Sequence, residues 1–203
     1  MDTSLTALAI SCTLKPSPAS SSSDLLGRQL LDALAEHGVT GDLVRAVDLD
    51  IRPGVEKDMG DGDQWPTLRQ RVLDADILVF VTPTWMGQHS SVAQRVLERL
   101  DAELSETDEQ GRPVLFDKVA IAGVLGNEDG AHHISAILFQ GLNDIGYTIP
   151  AQTSVYWNGE AMQTVDYKDF DETPEAVSSA ITTASRNAAH LARQLAAQAY
   201  PAE

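Results

Sequence analysis

The sequence predicts an α/β protein in which a parallel sheet carries helices on both faces. Short apolar runs alternate with stretches of helical periodicity five times along the 203 residues, and this alternation is typical of parallel sheets. The clearest run, Asp76 to Val81, is almost continuously apolar, as expected of a strand covered on both sides. Hydrophobic residues make up 43% of the chain, enough for a sizeable core.

The first three strand–helix pairs follow from apolar spacing and from helix boundary residues. Gly38 is a plausible stop for the first helix, and Pro66 stands where the second begins. Between the second strand and the second helix, residues Leu49 to Trp65 contain several Gly and Asp residues and predict a long loop. The expected strands are Leu5–Ser11, Leu43–Val47 and Asp76–Val81, and the expected helices are Asp24–His37, Thr67–Ala75 and Ser90–Leu104.

The last two pairs follow an acidic loop from Ser105 to Pro113. Pro150 predicts an edge position or a bulge in the last strand, and Thr173, followed by Pro174, is a candidate N-cap of the last helix. The expected strands are Lys118–Leu125 and Thr148–Tyr156, and the expected helices are Ala131–Ile145 and Thr173–Ala199. No repeat or linker divides the sequence, so we expect a single domain over residues 1–203.

Net charge, cysteine content and the N-terminal sequence argue against several classes of function. A formal net charge of −16 argues against nucleic-acid or anionic-membrane binding, because both need clustered Lys and Arg. Cys12 is the only cysteine, which excludes an intrachain disulfide and a cysteine-ligated metal centre. The N-terminus lacks a basic region followed by a long apolar run, so we expect no signal peptide, no membrane span and a cytoplasmic protein.

The loop after the first strand, Ser11 to Ser23, joins a strand end to a helix N-terminus. Ligands of open α/β sheets bind beyond the carboxyl ends of the strands. Hydroxyl groups and free helical N–H groups suit a phosphate there, and Lys15 adds a positive charge. A serine-rich loop with an ordinary N-cap is an equally good interpretation of this segment taken alone.

The loop after the third strand is Thr82-Pro-Thr-Trp-Met-Gly87. Pro83 stiffens it, Trp85 offers a flat apolar face, and a glycine ends it. A planar heterocycle can lie against the face of Trp85, and Gly87 permits the backbone to approach it closely. Alternatively, Trp85 only covers the end of the sheet.

The loop after the fourth strand runs from Gly126 to Gly130 and opens a helix at Ala131. His132 and His133 follow, but adjacent helical residues point in different directions and are unsuited to one metal ion. We therefore expect a ring contact or a surface role for His132 and no metal site.

With these loops in place, the sequence resembles the flavodoxin-like superfamily, and specifically its NAD(P)H-dependent FMN reductase branch. The most specific part is DILVFVTPTWMG followed by SSVAQRVLERLD. The resemblance implies a three-layer sandwich with a five-stranded parallel sheet in the order 2-1-3-4-5. It also implies FMN as cofactor and NAD(P)H as co-substrate.

The resemblance assigns each loop to a part of FMN. The phosphate loop begins atypically as Ser-Cys-Thr-Leu-Lys, and the cysteine cluster of iron–sulfur relatives is absent. The implied phosphate contacts are Ser11, Thr13, Lys15, Ser20, Ser21, Ser22 and Ser23. The implied ring contacts are Thr82, Pro83, Thr84, Trp85, Met86, Gly87, Gly126, Asn127, Asp129, Gly130 and His132.

The function this implies is an oxidoreductase that passes electrons from NAD(P)H to a small acceptor such as a quinone or a flavin. We name no catalytic side chain, because the cofactor carries the hydride chemistry. A flavodoxin-type electron carrier, which the acidic surface favours, and a non-catalytic flavin sensor are the alternatives. The family also implies a possible homodimer, in which Tyr156, Trp157 and Met162 either cover a neighbouring subunit or close the end of the last strand.

Overall fold

The computed structural model describes residues 4–202 and contains one parallel sheet with helices on both faces. Five strands run parallel in the order β2-β1-β3-β5-β6, and the two-residue β4 pairs only with β3. Without β4, this order is the predicted 2-1-3-4-5. The strands are β1 (Thr6–Ser11), β2 (Thr40–Arg45), β3 (Ile77–Trp85), β4 (Gln88–His89), β5 (Val119–Gly126) and β6 (Ser154–Asn158).

The helices divide between the two faces of the sheet and enclose two apolar cores. One core packs α1 and α5 against β1, β3 and β5, and the other packs α2, α3 and α4 against the opposite face. Strands β1, β3 and β5 are buried on both faces, which explains their continuous apolar sequence. The helices are α1 (Ser22–Ala35), α2 (Trp65–Asp74), α3 (Ser91–Leu100), α4 (Ala131–Asp144) and α5 (Glu175–Ala197).

Strand β3 is longer than predicted, because the segment expected to be a loop from Thr82 continues the strand to Trp85. Its extension pairs with the end of β5, where Thr82 lies opposite Val124 and Pro83 opposite Leu125. The chain then reverses at Met86 and Gly87, and β4 pairs back onto β3. Both turn residues have positive φ, 52° and 72°, as a two-residue hairpin turn of type I′ requires.

The last strand begins later than predicted, at Ser154, because Pro150 has no N–H to donate to the ladder. Of the predicted strand before Ser154, Thr148 forms an isolated bridge with Val119. At the next boundary, Pro174 rather than Thr173 occupies the N-cap of α5, and the Thr173 hydroxyl accepts a hydrogen bond from Gln29.

The predicted long loop between β2 and α2 is ordered around one buried ion pair. The Arg99 guanidinium lies 2.8 Å from the Asp63 carboxylate and donates to the carbonyls of Arg52 and Glu56. Burial raises the pKa of Asp63, but hydrogen bonds from the Met59 N–H, from Arg99 and from nearby backbone outweigh it and lower this pKa to about 2. The loop is therefore fixed, although it contains little regular structure.

Candidate functional site

A cavity of about 420 Å³ opens where β1, β3 and β5 end. This is the edge at which open parallel sheets bind ligands. Its walls come from the serine-rich loop (residues 12–21) with the start of α1, the hairpin (residues 82–89), the last residue of β5 with the loop that follows it (residues 126–130), and the cover segment, which comprises the end of β6 and the chain after it (residues 157–170). All three loops singled out in the sequence thus contribute to one cavity.

The serine-rich loop leads into α1, and the N-terminus of this helix lies at the cavity. Ser21 caps the helix by accepting a hydrogen bond from the Asp24 N–H at 3.3 Å. The first N–H groups of a helix have no partner inside it and carry partial positive charge, and Ser22 and Ser23, which occupy the first turn, line the cavity. This end of the cavity therefore has the donors that an anion needs.

A buried ion pair beneath the serine-rich loop fixes its shape. Arg45, at the end of β2, donates to the Asp24 carboxylate from Nε at 3.0 Å and from Nη2 at 2.5 Å. Its Nη1 donates to the carbonyls of Lys15 and Ala19 at 2.8 and 2.9 Å. Because the guanidinium holds two carbonyls of the loop and one carboxylate of α1, it sets the loop's position relative to the helix.

A second anchor lies nearer the surface. Both the N–H and the hydroxyl of Ser17 donate to the Asp48 carboxylate, at 2.8 and 2.5 Å. These hydrogen bonds hold the pKa of Asp48 below its ordinary value. The exposed Lys15 lines the cavity and supplies a cation at the same end.

The hairpin forms the opposite wall, and glycines let it approach the loop after β5. A Cβ on Gly130 would lie 2.9 Å from the Cα and O of Gly87, and a Cβ on Gly126 would lie 2.6 Å from the Cβ of Thr84. Such contacts are shorter than real side chains allow, so the two loops meet backbone to backbone. The Glu128 carboxylate adds a bond by accepting from the Met86 N–H at 2.6 Å.

The cover segment closes the cavity with aromatic rings. Trp157 packs against Tyr167 and Phe170, with ring centroids 5.9 and 5.6 Å apart. The Tyr167 hydroxyl donates to Gln29 of α1 at 2.6 Å. Burial raises the pKa of Tyr167, so its hydroxyl stays protonated and keeps the hydrogen bond to Gln29.

The cover segment is also attached to the start of α1. The Lys168 N–H donates to the Ser22 hydroxyl at 3.3 Å. The Lys168 ammonium pairs with Asp169 at 2.6 Å and with Asp166 at 3.3 Å, which raises the pKa of the lysine and lowers that of Asp169. The lysine charge is thus neutralised within the segment.

The cavity suits FMN by the chemistry of its two ends. One end offers hydroxyl groups, helical N–H groups and Lys15, which match a phosphate. The other offers flat apolar surfaces from Pro83, Trp85 and Trp157, which match a planar ring. Lining residues Thr84 and Asn127 also carry buried oxygen atoms without a protein hydrogen-bond partner.

The structure brings most of the predicted site residues to this cavity. Those that line it are Thr13, Lys15, Ser21, Ser22, Ser23, Pro83, Thr84, Trp85, Gly126 and Asn127. Those that do not are Ser11, Ser20, Thr82, Met86, Gly87, Asp129, Gly130 and His132. The lining residues outside the predicted set are Leu14, Leu125, Glu128, Trp157, Ala161, Met162, Asp166 and Tyr167.

Two residues predicted as contacts have hydroxyl groups that serve the interior of the protein instead. The Ser11 hydroxyl donates to Asp24 at 2.5 Å, and Thr82 accepts from the Ser90 N–H at 3.0 Å. Both side chains are fully buried. Ser90, which the sequence reasoning missed, donates to the Cys12 carbonyl and caps α3, so it links the hairpin to the serine-rich loop.

The paired histidines diverge as helix geometry predicts. His132 contacts the Tyr156 hydroxyl at 3.0 Å, and His133 contacts Gln88 at 3.2 Å. Among residues 4–202, no three His, Cys, Asp or Glu side chains are grouped as a metal ion would require. Over the same residues, no helix has both the length and the apolarity needed to span a bilayer.

Comparisons with known proteins identify relatives of this chain. The family model described as NADPH-dependent FMN reductase matches residues 5–161. A Mycobacterium bovis protein named divalent metal cation transporter MntH is 43% identical over 169 residues, which are 81% of this chain but 25% of that protein. The 8-demethyl-8-aminoriboflavin-5'-phosphate synthase of Streptomyces davaonensis is 32% identical over 166 residues, 77% of this chain and 65% of that protein. The chain therefore spans less than two thirds of both curated relatives.

Solved structures confirm the fold. RosB with its bound intermediate, 8-demethyl-8-formylriboflavin-5'-phosphate, superposes with a TM-score of 0.87 at 30% identity, covering 97% of this chain and 82% of RosB. The apo form of the NADH:FMN oxidoreductase EmoB superposes with a TM-score of 0.65 at 16% identity, covering 97% of this chain and 92% of that one. The predicted flavodoxin-like sandwich is therefore confirmed.

Proposed function

The chain belongs to the NADPH-dependent FMN reductase family, and from this membership we propose that it is an oxidoreductase that transfers electrons from NAD(P)H through FMN to a small acceptor such as a quinone or a flavin. The observation that carries the proposal is the cavity at the carboxyl ends of the strands, which combines an anion-binding end at α1 with an apolar end at Trp85 and Trp157. FMN, which the family membership confirms as the expected cofactor, supplies the hydride-accepting and electron-donating chemistry when bound.

At the phosphate end, we assign binding to the N–H groups of Ser22 and Ser23, to the hydroxyls of Thr13 and Ser21, and to the Lys15 ammonium. Charge-assisted hydrogen bonds of this kind are among the strongest available to a protein. Arg45 does not enter the cavity lining; it positions the serine-rich loop through the Lys15 and Ala19 carbonyls.

At the ring end, Pro83, Thr84 and Trp85 form one wall, and Gly126 with Asn127 forms the next. Trp157 and Tyr167 of the cover segment restrict water on the remaining side, which strengthens electrostatic interactions inside the cavity. Hydride transfer needs a fixed stacking geometry rather than an acid or base at the reacting atom. We therefore assign these residues to orientation and to the exclusion of water.

The rival interpretation is an electron carrier that does not itself oxidise NAD(P)H. The test is to mix FMN-loaded protein with NADH or NADPH under anaerobic conditions and to record the flavin absorbance. Bleaching with either nucleotide supports the reductase. Persistent absorbance with both would overturn the reductase and leave the carrier, and failure of the protein to take up FMN would overturn both.

A second candidate is chemistry on the flavin itself. It is favoured by the RosB superposition, which has a higher TM-score than that with EmoB. The name of the Streptomyces relative describes a riboflavin phosphate with an amino group in place of the 8-methyl group. Mass spectrometry of FMN recovered after aerobic incubation with the protein and an amino donor tests this candidate. An unchanged flavin mass contradicts it.

A homodimer is a further part of the proposal. Trp85, Met86 and Met162 are 54%, 92% and 98% exposed near the site, and a second copy of the chain is the occupant that the family resemblance implies. Sedimentation of the wild type at micromolar concentration is expected to give a dimer, and Met86→Glu with Met162→Glu is expected to give a monomer. A monomeric wild type would contradict the dimer.

The proposed dependence on NAD(P)H supports a cytoplasmic location.

A further inference from the structure

Glu128 places a carboxylate in the wall of the cavity at its ring end. It follows β5, whereas the phosphate end follows β1, and β3 lies between these two strands in the sheet. Neighbouring strands are about 4.8 Å apart, so the two loops are separated by about 10 Å. The bond from the Met86 N–H, at 2.6 Å, holds the Glu128 carboxylate beside the tip of the hairpin, next to Trp85.

Among residues 4–202, no cation pairs with this carboxylate. Lys168, the cation of the cover segment, is already paired with Asp166 and Asp169. Lys15, the cation that lines the cavity, belongs to the phosphate end. The neighbouring Gly130 N–H donates to the Asp129 carboxylate at 2.7 Å.

Reduction changes the charge of the ring. In the reaction that the proposed function requires, the nicotinamide gives up a hydride and becomes NAD(P)⁺, and the neutral ring that receives this proton and electron pair gains one negative charge. A carboxylate that is tolerated beside the neutral ring repels the charged one.

We propose that Glu128 makes the cavity bind oxidised FMN more tightly than reduced FMN. The proposal rests on the proposed function, because it requires FMN in this cavity with its ring beside the hairpin. By linkage, a protein that binds the oxidised form more tightly makes bound reduced FMN a stronger electron donor than free reduced FMN. Glu128 thus favours transfer of electrons out of the site.

The experiment measures two dissociation constants, one for oxidised FMN and one for chemically reduced FMN, by anaerobic equilibrium dialysis. Glu128→Gln removes the charge and keeps an oxygen that accepts from the Met86 N–H. Glu36→Gln is the matched control, because it makes the same chemical change at the opposite end of α1. Wild type is expected to bind oxidised FMN about tenfold more tightly than reduced FMN, a size consistent with one nearby charge.

In Glu128→Gln, this preference is expected to fall to within about threefold, mainly through tighter binding of reduced FMN, while Glu36→Gln keeps the wild-type ratio. A ratio unchanged in Glu128→Gln, an equal change in Glu36→Gln, or a wild type that binds both forms equally would overturn the role of Glu128 and leave the proposed function standing. Failure to bind either form would overturn the proposed function and this inference with it.

Discussion

The serine-rich loop and the hairpin face each other across one cavity, but they are held by different forces. The serine-rich loop depends on charged side chains, with Arg45 and Asp24 buried beneath it and Asp48 at its surface. The hairpin depends on backbone conformation, with two positive φ angles at its turn and a glycine contact to Gly130. We therefore expect the phosphate side to be sensitive to loss of charge and the ring side to be sensitive to added atoms.

Removal of the buried cation is expected to have the largest effect. Arg45→Met leaves the Asp24 carboxylate buried and unpaired, which costs about 3–5 kcal/mol in the free energy of unfolding. It also releases the serine-rich loop and weakens FMN binding. Urea denaturation and FMN titration measure the two effects. The control is Arg71→Met, which breaks an exposed ion pair with Asp42 and is expected to cost less than about 1 kcal/mol; equal losses in the two variants would refute the comparison.

On the ring side, one added methyl group is expected to destabilise the fold, as loss of charge does on the phosphate side. Gly130→Ala introduces a Cβ 2.9 Å from the backbone of Gly87 at a φ of 144°, and backbone strain of this kind costs about 1–3 kcal/mol. Gly141→Ala is the control, because a Cβ there meets no atom within 4 Å and a helical alanine is favourable. If Gly130→Ala denatured at the same urea concentration as wild type, the glycine contact would not be holding the loops together.

Trp85→Ala is expected to weaken FMN binding while leaving the free energy of unfolding nearly unchanged. The side chain is 54% exposed, so its loss is expected to change the free energy of unfolding by less than about 1 kcal/mol. Loss of a stacking surface is expected to weaken FMN binding about tenfold. Leu104→Ala removes a similarly exposed apolar side chain outside the cavity and is expected to leave FMN affinity unchanged. Wild-type affinity in Trp85→Ala would contradict the assignment of the hairpin to the ring.

At Asp48, acid is expected to have a small effect on the serine-rich loop. The pKa of Asp48 is lowered in the folded protein by hydrogen bonds from the Ser17 side chain and backbone. A lowered folded pKa contributes stability above the unfolded pKa of 3.8, and that stability is lost as the pH falls below it. Asp48→Asn removes this contribution, which is below about 1 kcal/mol at such an exposed site.

The prediction is checked with unfolding free energies at pH 6 and pH 3. Wild type is expected to lose slightly more stability than Asp48→Asn over this range. A larger loss in the variant would contradict the sign of the effect.

The sequence predicted the strand–helix order and the place of the site because both depend on local signals. Apolar runs such as the one in β3 and a proline near the start of α2 are visible without a structure. The hairpin was missed because the extension of β3 depends on pairing with β5, which is distant in sequence. The comparisons confirm the predicted family and cofactor, while the single domain and the individual site residues stay predictions.

The contributions of Asp166 and Tyr167 to the cavity had no local signal. They belong to a segment without periodicity, and contacts with Asn127 and Gln29 hold it over the cavity. Leu125, in contrast, stands at the carboxyl end of a buried strand, and the position rule for open sheets would have identified it. The Ser11 hydroxyl, predicted to contact the phosphate, donates to Asp24 across the loop, a contact that no local sequence pattern indicates.

We propose that one cavity holds FMN with its phosphate at the start of α1 and its ring against the hairpin. Parallel titrations with FMN and with riboflavin, which lacks the phosphate, distinguish this arrangement from binding by the ring alone. FMN is expected to bind about 100-fold more tightly than riboflavin, because charge-assisted hydrogen bonds at the serine-rich loop act only on the phosphate. Equal affinities for the two flavins would contradict it.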